Sequence, residues 1–425
     1  MTTLFIFKSH ARGMQYGLGT YLRELTESLL QMPDIILFVV AYHNQSFKEF
    51  SIKEVSPRYK EVFIPSPAFR VSQNNTSDKK YASAVLRLLS SIIPVKGKVI
   101  FQMNYIDDLA IVIELKKYYK HPVISVVQFA MWQQLFEGNR KKLTGLNIDK
   151  PSDNIEFTFS RERELYRLSD HVVSVTSYMK EFLVKEYSID QDKITVIQNG
   201  INYNCYNPVS RLQKNEIRRK FGFRDDEVIL LFSGRIDYCK GVFYLIEAFE
   251  EACKSKNNLR LVLLGQGEIQ ECFKRTQALF GKITYTGFIQ QEQVSLFYMI
   301  ADIGMVPSIY DHCPLTILEM MGNRIPLIVS RINGTDEMLS DDECVFIDPV
   351  INESGDISFK IRELSDAIIK LSENVRLRRE LARNAYCLLE KRFAASRMAE
   401  DMNRLFSSLI NKCNVKNQHE KTKRG

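Results

Sequence analysis

Two carboxylates, Asp311 and Glu319, stand with seven residues between them in the last third of the chain. The order around them is an apolar strand (Ile303 to Val306), a polar loop, a helix bounded by Pro314 and Pro326, and a second apolar strand from Leu327. The start of that helix, at Pro314, Leu315 and Thr316, offers unpaired N–H groups and the positive end of a helix dipole, which suits a diphosphate. A carboxylate one or two turns further in can accept hydrogen bonds from both hydroxyls of a ribose. Glu319 fits that position, because it lies among Leu315, Ile317, Leu318, Met320 and Met321 and needs a partner or a ligand. The plainer reading pairs it with Arg324 or Arg331. Asp311 has a plainer reading too, as a cap or a loop hydrogen-bonder before a helix. His312 beside it reads as facing solvent.

Cations follow another strand. Val228 to Phe232 leads into Ser233-Gly234-Arg235, and Lys240-Gly241 comes just before a helix. Arg235 and Lys240 together can neutralise a diphosphate leaving group, where negative charge grows in the transition state. Taken alone they read equally as solvated cations beside a turn glycine. After the strand ending at Leu264 come Gly265, Gly267 and Glu268, a tight turn suited to close approach by a nucleotide. Near the N-terminus the loop from Lys8 to Thr20 carries Gly17 and Gly19 ahead of a helix expected over Tyr21 to Leu30. Such a loop lets backbone N–H groups reach a phosphate or an acceptor. His10, its lone histidine, reads as non-catalytic.

The elements that must position these residues alternate regularly. Thirteen short apolar strands are expected, seven before Asn199 and six after it, separated by amphipathic helices. That rhythm predicts two doubly wound parallel-sheet domains, 1–198 and 199–393, with the helix over 394–411 packing back on the first. Ligands of such sheets bind beyond the C-terminal strand ends, so two domains facing each other would enclose a cleft. The loop from Ser72 to Lys80 and the segment from Glu137 to Asp153 read as mobile, and the basic tail 412–425 as disordered. In the last helix, Met398, Met402, Leu405 and Phe406 have the spacing of a buried stripe.

Composition narrows the classes. The 425 residues carry a net charge of +7, with 45% hydrophobic and 26% charged side chains. That is ordinary for a soluble enzyme and does not call for nucleic acid. The eight cysteines form no Cys-x-x-Cys pair, which argues against a zinc site or a disulfide framework. Asp190-Gln191-Asp192 precedes a strand instead of following one, and reads as a surface turn without metal. No signal peptide and no membrane-spanning run is evident, so a cytoplasmic location is expected, with room for peripheral attachment at the inner membrane face.

In this order the motifs resemble those of the retaining GT-B glycosyltransferases, and more narrowly family 4. The match rests on Gly234-Arg235 with Lys240-Gly241, on Gly265, Gly267 and Glu268, on Asp311 with Glu319, and on Asn333-Gly334 with Glu337. It is specific from Val228 to about Asp348 and diffuse in the first half. The resemblance implies two Rossmann-like domains facing a cleft (the GT-B fold). It implies a UDP- or GDP-linked sugar on the second domain, a glycan, lipid-linked or peptide acceptor on the first, retention of configuration, and neither metal nor cofactor. In such enzymes the second acid holds the donor ribose, the first lies near the donor sugar, and the Arg and Lys hold the diphosphate. There are departures. Asp311 stands where Glu is usual. Arg324 stands at a usual Gly, so that Asn323 is expected to supply the left-handed cap. Gln128, after the strand Val123 to Val127, stands where the family carries a His that contacts the sugar. A nucleotide-sugar epimerase and a non-catalytic binding subunit are the rival readings.

Overall fold

The computed structural model describes residues 1–9, 17–44, 46–66, 75–206, 209–276, 279 and 281–422. His10 lies outside them, as do residues 72–74. The chain divides into two compact units. The first comprises Met1–Met131, Leu146–Asn199 and Ala395–Gly425; the second comprises Trp132–Gly145 and Gly200–Ala394.

The first unit carries β1 (Thr2–Ser9), β2 (Ile35–Asn44), β3 (Ser51–Ser56), β4 (Tyr59–Pro65), β5 (Val99–Met103), β6 (Val123–Val127), β7 (His171–Ser174) and β8 (Ile194–Val196). They form one sheet in the order β3-β4-β2-β1-β5-β6-β7-β8. Every pairing is parallel except β3 with β4. The central strands are apolar on both faces because helices cover both, and β5 and β6 are buried throughout. The order reverses between β1 and β5, which makes that pair the topological switch point. The helix Ala395–Thr422 packs on the helix Gly17–Leu30, and its Met398, Met402 and Phe406 are buried.

The second unit carries β9 (Val228–Ser233), β10 (Leu259–Leu264), β11 (Ile283–Gly287), β12 (Ile303–Val306), β13 (Leu327–Ser330) and β14 (Cys344–Ile347), then a hairpin of β15 (Pro349–Ile351) and β16 (Ile357–Phe359). The main sheet has the order β11-β10-β9-β12-β13-β14 and is parallel throughout. Its switch point lies between β9 and β12. At the opposite, N-terminal end of those two strands, Asp302 accepts from Lys214 Nζ at 2.9 Å and from the Ile229 N–H at 2.9 Å, and pairs with Arg218. Burial opposes its charge, but the two cations hold the carboxyl below its usual range.

Four expectations need correction. Helix Gly17–Leu30 begins four residues earlier than expected and takes up Gly17, Gly19 and Thr20 in its first turn. Residues 75–80 are not a mobile loop but the start of the helix Asn75–Leu89. The segment from Glu137 to Asp153 contains a 3-10 turn, Arg140–Leu143, capped by a buried Asn139. The tail is helical as far as Thr422. Strands β3, β15 and β16 were not anticipated, since β3 is exposed along most of its length and has no apolar alternation to reveal it.

Candidate donor site

The loop after β9 is shaped by one acid. Asp237 caps the 3-10 turn Tyr238–Lys240, its side chain accepting the Lys240 N–H at 3.0 Å. The same carboxylate pairs with Arg235 Nη2 at 3.3 Å. Gly241 follows at φ +67°, and a Cβ there would lie 1.8 Å from the Pro307 carbonyl oxygen. Only glycine therefore lets the helix Val242–Cys253 start so close to the end of β12. The Ile309 N–H donates to the Cys239 carbonyl at 2.8 Å, tying this loop to the one that follows β12.

That second loop carries Asp311. Its Oδ2 is paired with Lys240 Nζ and its Oδ1 accepts the His312 N–H at 3.0 Å. Both side chains keep some exposure, 27% for Lys240 and 17% for Asp311, so a ligand can reach the pair. Gly334, after β13, presses on the backbone here. At φ +126°, its Cβ would meet the Asp311 and His312 carbonyl oxygens at 2.5 and 2.4 Å. His312 itself is buried, not solvent-facing, and its Nε2 lies 2.5 Å from Gln133 Oε1. Burial pushes its imidazole down to about 4; Asp311 pulls upward and Lys240 downward, and the ring is neutral at pH 7.

Glu319 lies in the helix Leu315–Gly322, with Pro314 as its N-cap. Its Oε2 accepts the Tyr298 hydroxyl at 2.6 Å, and Ser233 Oγ, at the end of β9, lies 3.2 Å from that same hydroxyl. Burial, then the neighbouring Glu319 charge, pushes the Tyr298 hydroxyl well above its ordinary value, so it remains a donor. Thr316 Oγ1 donates to the Ser233 carbonyl at 3.4 Å. Ser233 thus joins the Glu319 helix to the strand that delivers Gly234 and Arg235. The two arginines considered as partners are engaged elsewhere. Arg331 pairs with Asp341 and Asp348, and Arg324 stacks 4.0 Å over the Tyr386 ring.

Gly265 and Gly267 serve the backbone. Beyond the strand ends the β9–β10 ladder continues, with Gly234 N–H on Leu264 O at 2.9 Å and Ile236 N–H on Gln266 O at 3.0 Å. A Cβ on Gly265 would fall 1.8 Å from Gly234 O, and one on Gly267 2.2 Å from Ile236 O. Glu268 is exposed at the start of the helix Ile269–Arg275.

The second unit therefore brings Gly234, Arg235, Lys240, Asp311, Glu319 and the turn Pro314 to Thr316 to one end of one sheet, at its switch point. Gly17, Gly19, Thr20 and Gln128 belong to the first unit. Gln128 is committed to Asn199 in a reciprocal amide pair, donating at 3.0 Å and accepting at 2.9 Å. Sequence reasoning missed Tyr298, Ser233 and Gln133. A tyrosine near the end of an apolar helix gives no sign that its hydroxyl meets a carboxylate. Among the described residues, no group of three or more His, Cys, Asp or Glu side chains is placed to hold a metal ion, and no helix is long and apolar enough to cross a membrane.

Two doubly wound sheets, parallel but for the β3–β4 edge pair, place the chain in the GT-B fold class. A sucrose-phosphate synthase from Thermosynechococcus elongatus superimposes with a TM-score of 0.77 at 18% identity, over 97% of this chain and 100% of that one. Anabaena HepE, solved in complex with UDP and glucose, superimposes at 0.71 with 14% identity, over 96% and 100%. Family models match both halves: Glycosyltransferase Family 4 over residues 16–204, and Glycosyl transferases group 1 over residues 213–387. The chain belongs to the group 1 glycosyltransferases. An uncharacterized glycosyltransferase of Methanocaldococcus jannaschii is 31% identical over 40% of this chain and 45% of its own length. The alpha-D-kanosaminyltransferase of Streptomyces kanamyceticus is 24% identical over 57% and 61%. The aligned region thus spans about half the length of these curated relatives.

Proposed function

We propose that this protein transfers a sugar from a UDP- or GDP-linked donor to a glycan, lipid-linked or peptide acceptor, with retention of configuration and without a metal ion. The observation that carries the reading is the convergence of the Lys240–Asp311 pair and the Glu319–Tyr298–Ser233 chain on the switch point of the second sheet. Glu319 accepts the ribose hydroxyls. The helix start at Pro314 to Thr316 meets the diphosphate with N–H groups. Arg235 and Lys240 balance the charge that builds on the leaving group, and Asp311 lies beside the sugar. The departing diphosphate takes the acceptor proton.

Calorimetric titration of UDP- and GDP-sugars against the wild type and Glu319→Gln tests this. The amide keeps the shape and the Tyr298 bond but loses the charge-assisted bonds to ribose, a loss of about 1.5–3 kcal/mol. Donor affinity should fall at least about tenfold with the thermal midpoint retained. Equal affinity in the two proteins would remove Glu319 from the site and the reading with it.

A further inference from the structure

We infer that the segment Trp132–Gly145 is a positioning element for Asp311, holding it through the residues on either side; the inference rests on the donor-site reading above. The segment precedes much of the first unit in sequence but packs within the second. It is anchored on the β15–β16 hairpin. Asn139, buried, donates to Ser354 O at 3.0 Å and to Asp356 Oδ1 at 2.7 Å, and Lys141 Nζ donates to Glu353 O at 2.6 Å. Gly355, at φ +90°, leaves room for this anchor, since a Cβ there would lie 2.5 Å from Asn139 Oδ1.

From that anchor the segment reaches both neighbours of Asp311. Gly138 packs against Tyr310, close enough that a Cβ would sit 3.3 Å from the ring. The buried Gln133 accepts a hydrogen bond through Oε1 from His312 Nε2–H at 2.5 Å. The carboxylate between these two contacts is thereby fixed against Lys240. The choice of glutamine also matters. A neutral acceptor holds the ring without charging it, so Asp311 meets one cation, Lys240, and not a second on His312. The charged groups facing the imidazole are Asp311 and Lys240, and burial keeps it neutral.

Two near-isosteric substitutions test the inference. Gln133→Met removes the acceptor and keeps the volume. We expect kcat to fall about tenfold with the donor KM nearly unchanged, because a reacting group displaced by about 1 Å costs up to about a hundredfold. Gln133→Glu keeps the acceptor and adds charge. It should raise the His312 titration from about 4 toward neutrality, read by NMR of ring-labelled histidine. It should also make kcat drop as pH falls through the new value, as the imidazolium competes for Asp311. A merely structural contact would move the thermal midpoint in Gln133→Met and leave the pH profile of Gln133→Glu unchanged. Wild-type kcat in the methionine variant, or a wild-type pH profile in the glutamate variant, overturns the inference. Lys240→Ala is the control: if it also turns over normally, the donor-site reading itself has failed.

Discussion

At residue scale, Arg324 shows how a departure from the expected pattern is accommodated. The helix Leu315–Gly322 ends with Asn323 at φ −82°, so the asparagine does not supply the left-handed turn. Arg324 takes it at φ +54°, against the preference of a side chain with a Cβ. Its guanidinium lies over Tyr386, and that stacking offsets part of the strain. Arg324→Ala and Arg324→Gly both lose the stacking, but only alanine keeps the backbone cost. Glycine should be the more stable of the two by about 1 kcal/mol in denaturant unfolding, and equal stability would mean that the turn is unstrained. Of the residues in the proposed site, Lys240 and Asp311 were legible only from their place in loops just after apolar strands, and Glu319 because a charge among Leu315, Ile317, Leu318, Met320 and Met321 needs a partner. Tyr298 and Gln133 were not, since the same letters serve equally well in contact with water.

At element scale, glycines set how closely the loops of the second sheet approach one another. Gly241 faces backbone, not a side chain that could move aside: the Pro307 oxygen would be 1.8 Å from an added Cβ. Gly222 also has positive φ, at +78°, but nothing lies within 4 Å of an added Cβ. Gly222→Ala should therefore cost only the conformational term, about 1 kcal/mol. Gly241→Ala should cost at least about 3 kcal/mol, because it forces the helix Val242–Cys253 off β12. Similar unfolding midpoints for the two variants would contradict this account. The same scale explains which elements could be read. The thirteen expected strands were read from short apolar runs between helices, even where, as in β11, the side chains are only partly buried. The strand β3 was missed because its side chains are largely exposed, and β15 and β16 because three residues each are too short to show an apolar run. The stretch from Glu137 to Asp153 read as mobile because it carries Arg140, Lys141 and Lys142, while the buried Asn139 is a residue common in loops.

At the scale of the whole molecule, buried acids give stability a dependence on pH. Asp108 accepts the Asn104 and Tyr105 N–H groups at 2.8 and 2.9 Å, and burial pushes its carboxyl up to about 7. Glu162, which accepts hydroxyls from Tyr187 at 2.5 Å and Tyr166 at 3.2 Å, is pushed up to about 7 for the same reason. Each binds its proton more tightly folded than unfolded. The stability this contributes is complete below about pH 4 and is lost as pH rises through about 7. His171 and His312, both pushed down to about 4 by burial, work in the opposite direction below about pH 6.5. The clean measure is therefore a difference. Between pH 5 and pH 8, Asp108→Asn should lose less thermal midpoint than the wild type, and parallel losses would show that Asp108 is ionised throughout. The interleaving of the two units has a further consequence, for inheritance. Because Trp132–Gly145 is encoded amid first-unit sequence yet packs within the second unit, a recombination event at Gly200 would join one protein's second unit to a stranger's strap. New specificities in this lineage should then arise by drift within an intact gene more readily than by exchange of halves.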